Sequence, residues 1–305
     1  MFNGIDVVQT KHYIKIDCHT YIDKFCAKYL ATWMNKVPLS ENRPTPLPSD
    51  ADWLQNFNAA VGSDNPKELA TLETSMQIRY RGGIGELIWA MITCRPDIAF
   101  TSVKLSQSNT RPSEIHYHRL KHAIRYLYTT RTDGLYYWHL SRPDLPDLPL
   151  PTINSNTQDL LLDDRPEHEA SIAVAYGDSD WATCVKTRHS FSGICIQLAG
   201  GTIANKTKFQ PTVTLSSTEA EFMAACDIGR MLLFVRSILW DLDIPQEAAT
   251  IAYEDNDGCT AMANAPKPTT RTHHIDIKYV ALVIGLNATL SILNELIPRS
   301  ILPTT

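Results

Sequence analysis

The chain has 305 residues, 44% of them hydrophobic and 20% charged, a balance that fits one or two globular domains and excludes a disordered or fibrous chain. A formal net charge of −5 leaves no global basic field, so any nucleic-acid binding must come from local patches. The seven cysteines are odd in number and never form a Cys-x-x-Cys pair, which speaks against a disulfide framework or a zinc site and suits a reducing compartment.

Met1-Phe2-Asn3-Gly4 has neither the charge nor the apolar run of a secretory leader, so none is expected. Residues 2–8, FNGIDVV, read as a short strand. Residues 19–34 follow as a helix, with Ile22, Phe25, Cys26, Tyr29 and Leu30 on one face. Prolines 38, 44, 46 and 48 make the next stretch a loop or linker. GGIGELIWAMI after Arg81 predicts an apolar helix, stopped at Arg95-Pro96. DIAFTSVKLSQS and SEIHYHRLKHAIRYLYTT predict two more. In the last of these Leu120, Ala123, Ile124 and Leu127 form the buried stripe. His116, His118 and His122 lack further ligands at zinc spacing and are expected on a solvated basic face, where Arg119, Lys121 and Arg125 could meet phosphates.

A second proline-rich stretch begins at residue 141 and runs into Asp163, Asp164, Glu167 and Glu169, so the domain boundary is expected within 141–170. From Ser171 the texture changes. SIAVAYGD, SGICIQLAG and GTIANKTKF predict three strands, residues 216–242 a long helix, and TIAYEDN a fourth strand. On the helix, Phe222, Ala225, Cys226, Gly229, Leu232, Leu233 and Leu239 are expected to face inward. Residues 279–294 carry no charge. Gly285, Asn287, Thr289, Ser291 and Asn294 interrupt them, and a spanning helix needs about 20 predominantly apolar residues. A buried element or a non-native tail is expected there, not a membrane span.

Three strands joined by tight turns should form an antiparallel meander, with the helix crossing over to a fourth strand parallel to the first. Asp178 and Asp255 would then end neighbouring strands, and Glu219 and Glu221 would begin the helix above them. Gathered carboxylates repel and call for a cation, and oxygen ligands alone select Mg²⁺ or Mn²⁺ over zinc. The residues by themselves also allow plain solvation, because acidic residues are common at strand ends and in first helical turns. Ser216-Ser217-Thr218-Glu219 is a capping box, which assigns Glu219 to the helix end. Asp180 and Asp257 fit exposed turns, Trp181 packing beside the site, and Lys186 and Arg188 phosphate contact.

YGDSDWA, KTRHSFSGICIQLAGGTI, QPTVTLSSTEAEFMAA, YEDNDGCTAMA and RTHHIDIKY, in this order, closely resemble the ribonuclease H domain of copia-type LTR retrotransposon polyproteins. FNGIDVVQT, YRGGIGELIWAMITCRPDIAF and HYHRLKHAIRYLYTTRTDGLYY resemble the end of the reverse transcriptase in the same polyproteins. The resemblance implies four stretches. Residues 1–140 would be a mainly helical part of the reverse transcriptase (palm end, thumb and connection), 141–170 a linker, 171–279 a ribonuclease H-like α/β domain with a mixed five-stranded type of sheet, and 280–305 an atypical apolar tail. It implies hydrolysis of RNA in RNA–DNA hybrids with two Mg²⁺ or Mn²⁺ ions on Asp178, Glu221 and Asp255, Glu221 matching the helix glutamate better than Glu219.

Implied partners are hybrid or template–primer duplex and other parts of the polyprotein. The implied location is cytoplasmic, in virus-like particles, or nuclear. The Tyr-x-Asp-Asp pair of the polymerase is absent, so the chain is not expected to synthesise DNA by itself. Beyond Asp276 the only acidic residue is Glu295, in surroundings unlike the family's fourth carboxylate. A catalytically inert relic that binds template–primer is therefore the alternative expectation. His273, His274 and Asp276 are expected to serve substrate contact or folding, not metal ligation.

Overall fold

Helical periodicity governs the first half of the chain and strand alternation the second, and the chain divides accordingly. The computed structural model describes residues 3–34, 45–48, 52–138, 171–184, 187–263 and 290–293. Two compact units emerge, one centred on Lys15–Leu135 and one on Tyr136–Pro303. Residues 141–170, Lys186, His273, His274, Asp276 and Glu295 lie outside the described residues, so the expectations placed on them stay open.

The first half contains strands β1 (Asp6–Gln9) and β2 (Tyr13–Asp17), then helices α1 (His19–Leu30), α2 (Trp53–Ala59), α3 (Pro66–Met76) and α4 (Tyr80–Thr93). A 3-10 turn at Pro96–Ile98 leads into α5 (Ala99–Ser106), α6 (Glu114–Thr129) and strand β3 (Leu135–Trp138). The three strands pair in the order β1-β2-β3. The expected stripes hold: Ile22, Phe25 and Cys26 of α1 pack with Leu87 of α4 and Leu120, Ile124 and Leu127 of α6. The first helix ends earlier than expected, at Leu30, although Trp33 and Met34 beyond it remain buried.

Two corrections concern α6. Arg125 is only 5% exposed, so its guanidinium is not on a solvated face. Arg119 and Lys121 are half-buried, and the Lys121 ammonium lies 5.1 Å from the centre of the Trp33 ring. His116 is buried as well. Its Nδ1 accepts from the Ser113 N–H at 2.8 Å and its Nε2 donates to the Phe57 carbonyl at 3.1 Å, which makes it a cap of α6 and a core tie.

The second unit holds β4 (Val174–Asp180), β5 (Phe191–Leu198), β6 (Gly201–Phe209), α7 (Ser217–Asp241), β7 (Thr250–Tyr253), α8 (Asp257–Ala263) and β8 (Leu290–Leu293). The sheet order is β6-β5-β4-β7-β8. β4 and β6 run antiparallel to β5, while β7 runs parallel to β4 and β8 parallel to β7. This antiparallel meander, crossover helix and parallel extension is the ribonuclease H-like α/β fold. The uncharged segment thus supplies an edge strand, and the rest of 280–305 lies outside the described residues. No described helix is long and apolar enough to cross a membrane.

α7 packs on the sheet through Phe222, Ala225, Ile228, Leu232, Val235 and Leu239, against Ala175, Ile194, Ile196 and Ala252. Leu233, expected inside, is 45% exposed, because the inward stripe passes through Leu232 and Val235 instead. Helix and sheet approach tightly at Gly177, where an added Cβ would stand 2.3 Å from Ile228 Cδ1 and 3.3 Å from its Cγ1. Gly177 directly precedes Asp178, so this contact sets the height of the helix beside the site. Gly177→Val should destabilise the protein by about 1–3 kcal/mol through overpacking. Adding Ile228→Ala should recover part of that loss, which urea denaturation of the two single variants and the double variant would measure.

Candidate metal centre

Parallel register brings the two strand-end aspartates level. Tyr176 of β4 pairs with Tyr253 of β7, so Asp178 and Asp255 each stand two residues beyond a paired position. The N-terminus of α7 comes to the same edge. Ser216 accepts a hydrogen bond from the Glu219 N–H at 3.2 Å, and Glu219 Oε2 accepts from the Leu215 N–H at 2.8 Å. That exchange commits Glu219 to the cap. Glu221 is buried and faces the aspartates. One carboxylate oxygen from each of Asp178, Glu221 and Asp255 falls within 4.8 Å of the others.

Two side-chain amides hold these elements in place. Gln210, 1% exposed, directs its Nε2 at the Ala220 carbonyl (2.9 Å), Ser192 Oγ (2.8 Å) and Ser179 Oγ (3.2 Å). It thereby joins the residue before Glu221 to the residue after Asp178. Asn256 Oδ1 accepts from the Cys259 N–H at 2.9 Å, capping α8, and from Thr218 Oγ1 at 3.4 Å. Neither residue emerges from the sequence reading. An Asn before Asp-Gly is a recognisable helix-cap signal, whereas nothing local marks Gln210.

The electrostatics are those of crowded anions. Burial, followed by the charges of Asp255 and Asp180, raises the Asp178 carboxyl above the ordinary range. Burial, followed by Glu254, Asp178 and Asp255, pushes Glu221 up to about 10. Glu254, which the sequence reading passed over, is pushed up to about 8 by burial and then by Asp255 and Asp178. Glu221 Oε2 is buried without a hydrogen-bond partner. An all-oxygen set with an orphaned buried oxygen fits a hard divalent cation such as Mg²⁺ or Mn²⁺, and among the described residues no nitrogen or sulfur ligand for zinc joins it.

The remaining expected residues scatter. Trp181 is 45% exposed, held by an Nε1–H donating to the Thr214 carbonyl at 3.3 Å, so it borders the site as a surface and not as core packing. Arg188 is exposed with a left-handed backbone, φ 56°. His118 and His122 point to Glu114 and to the Thr45 carbonyl, and with His116 tied to Ser113 and Phe57 the three histidines share no ligand point. A second group, Asp6, Asp17 and His19, already holds a cation: Asp17 meets the Lys15 ammonium at 2.8 Å and His19 Nδ1 at 2.6 Å.

No family model matches the chain. Among curated proteins it is 28% identical over 203 residues to the retrovirus-related Pol polyprotein of transposon TNT 1-94 from Nicotiana tabacum, covering 67% of this chain and 13% of that protein. It is 30% identical over 200 residues to the Pol polyprotein of transposon RE2 from Arabidopsis thaliana, covering 66% of the chain and 12% of the relative. It is also 33% identical over 147 residues to a protein named secreted RxLR effector protein 161 from Plasmopara viticola, covering 48% of the chain and 84% of that protein.

Among solved structures, a ribonuclease H1 isolated from compost overlaps 43% of the chain and 86% of its own length, at 14% identity and a TM-score of 0.33. A foamy viral protease–reverse transcriptase in complex with RNA/DNA hybrid overlaps 84% of the chain and 28% of its own length, at 11% identity and a TM-score of 0.32. Overlaps this loose add nothing to the strand order itself. The chain spans about one eighth of the two Pol polyproteins it matches. By sequence it is similar to the retrovirus-related Pol polyproteins of copia-type transposons.

Proposed function

We propose that the second unit hydrolyses the RNA strand of RNA–DNA hybrids, with divalent ions held by Asp178, Glu221 and Asp255. The observation that carries this reading is the convergence of three carboxylate oxygens within 4.8 Å at the shared edge of β4, β7 and α7. Two ions bound there would supply an activated water and charge stabilisation at the leaving oxygen of a phosphodiester.

The chain's own residues do the rest. Asp178 and Asp255 present charge to the edge of the sheet, and Glu221 adds a carboxylate from the interior once it gives up its proton. Gln210 and Asn256 fix the spacing among the three. The exposed face of Trp181 offers a stacking surface for a base or sugar beside the site, and Arg188 a cation for the backbone phosphates. The helices of the first unit would bind template–primer duplex, in the cytoplasm with other polyprotein parts or in the nucleus.

The direct test gives the purified chain a labelled RNA–DNA hybrid with Mg²⁺. Asp178→Asn should lower cleavage at least about a hundredfold, a barrier increase of about 3 kcal/mol. No cleavage by either protein, with hybrid still bound, would instead establish the inert binding relic.

A second outcome concerns pH. Glu221 and Glu254 hold protons in the folded chain up to about 10 and about 8, far above the ordinary 4.5. Between those limits the folded state binds more protons than the unfolded one, so stability falls as pH rises. The contribution is whole below about 4.5 and is lost as pH climbs through the folded values. Metal-free protein should therefore melt at lower temperature at pH 9 than at pH 6. Saturating Mn²⁺ should shrink that difference, and Glu221→Gln should flatten it, as differential scanning fluorimetry would record.

A further inference from the structure

Glu254 stands inside this constellation without an assigned role. Along β7 the residues turned inward are Thr250 and Ala252, and the same alternation carries Glu254 into the interior, where it is 1% exposed. Neither of its oxygens closes a hydrogen bond of normal geometry, although the Glu221 carboxyl and the Asn256 N–H lie close enough to perturb it. The charges that act on it most strongly are those of Asp255 and Asp178, with the Glu221 carboxyl beside it and, across the start of α8, the buried Cys259 thiol.

Two buried ionised groups elsewhere among the described residues are paired. Arg95 meets Asp97 at 2.7 and 2.8 Å and the Thr130 carbonyl at 2.9 Å, and Asp227 meets Lys208 and Arg230. Among the described residues, the buried carboxylate oxygens left without a partner belong only to Glu221 and Glu254. A carboxylate in such a place needs a proton or a cation.

Resting on the reading of this corner as a metal centre, we propose that Glu254 is a fourth carboxylate of the divalent-ion site, adding its charge beside Glu221 from the interior. The site is then built from two consecutive residues at the end of β7, Glu254 inward and Asp255 outward, with Asp178 and Glu221 completing it. Its preference would run toward hard cations, since no described nitrogen or sulfur ligand joins the oxygens at the cluster.

The test is Mn²⁺ binding to the full chain, read as the free-ion signal in electron paramagnetic resonance, with thermal unfolding in parallel and Asp178→Asn as the reference variant. Glu254→Gln keeps the size and polarity of a neutral carboxyl, so a purely structural, protonated Glu254 would tolerate it. The proposal expects this variant to lose about tenfold or more in Mn²⁺ affinity. Its metal-free melting temperature should be unchanged or higher, and its Mn²⁺-induced rise smaller than the wild type's. Glu254→Asp, which keeps the charge, should recover part of the affinity.

Wild-type affinity retained in Glu254→Gln, with affinity lost in Asp178→Asn, would overturn the proposal and leave the metal centre standing. No Mn²⁺ binding by the wild type would overturn the metal centre itself, and the fourth carboxylate with it. Should the Gln variant fail to fold, Glu254→Met fills the same volume without a polar group, and the same affinity comparison decides.

Discussion

Unlike charges inside a protein find each other; like charges have to be forced together, and the second unit is organised around doing so. Two unit charges separated by about 5 Å repel by about 3 kcal/mol at an effective dielectric of about 20. Asp178 and Asp255 form such a pair where β4, β7 and α7 end, and Glu221 and Glu254 beside them avoid the same repulsion by holding protons. Nothing in the carboxylates themselves keeps them there. The backbone does, through the parallel register of Tyr176 with Tyr253 and the tight seat of α7 on Gly177. The fold thus holds a strained arrangement, which a bound cation would relieve.

The start of α7 shows how the strain is distributed. Two glutamates lie two residues apart and experience different physics. Glu219 reaches back to the Leu215 N–H and satisfies a helix end, where a negative charge is welcome. Glu221 turns into the interior, where its Oε2 finds no donor. Gln210 makes the difference durable: its amide grips the Ala220 carbonyl between them and the serines of β4 and β5, so the helix cannot rotate Glu221 outward without breaking buried hydrogen bonds. The first unit offers the contrast of buried charge with full pairing, as at Arg95. Pairing there points to structure, and its absence around Glu221 points to a ligand.

Which parts of this were legible in the sequence follows from how local each signal is. Long apolar stripes located α1, α4, α6 and α7, and the turn residues between β4, β5 and β6 located the meander. The helices α2 and α3 were missed because each buries a single side chain, Phe57 and Met76, and leaves no stripe to read. β2 and β3 are short, and β3 pairs with β2 across more than a hundred residues of chain. Leu233 and Arg125 were misplaced by one or two positions around a helix, enough to exchange core for solvent at 100° per residue. The convergence of Asp178, Glu221 and Asp255 was readable because strand ends and a capping box fix where they fall, whereas their role as ligands came from the resemblance. Gln210 was not, since its importance comes from burial among three elements. Glu254 was readable in principle: continuing the inward alternation of Thr250 and Ala252 leads to it, yet an acidic residue beside an aspartate looks like a solvated pair.

The net charge of −5 gives the acidic corner a second consequence. A nucleic-acid hybrid is a polyanion, and a chain without a global basic field has little to draw it toward a cluster of carboxylates. Under the proposed function the same ions that relieve repulsion among Asp178, Glu221, Asp255 and Glu254 must also bridge that cluster to phosphate. Substrate affinity and ion affinity would then be linked, each raising the other by the same factor. The half-buried Arg119 and Lys121 and the buried Arg125 add little free positive surface on α6. Electrostatic attraction for the hybrid would therefore be concentrated at the site and governed by its occupancy, which makes the pairing of buried carboxylates with hard cations the step on which recognition as well as chemistry depends.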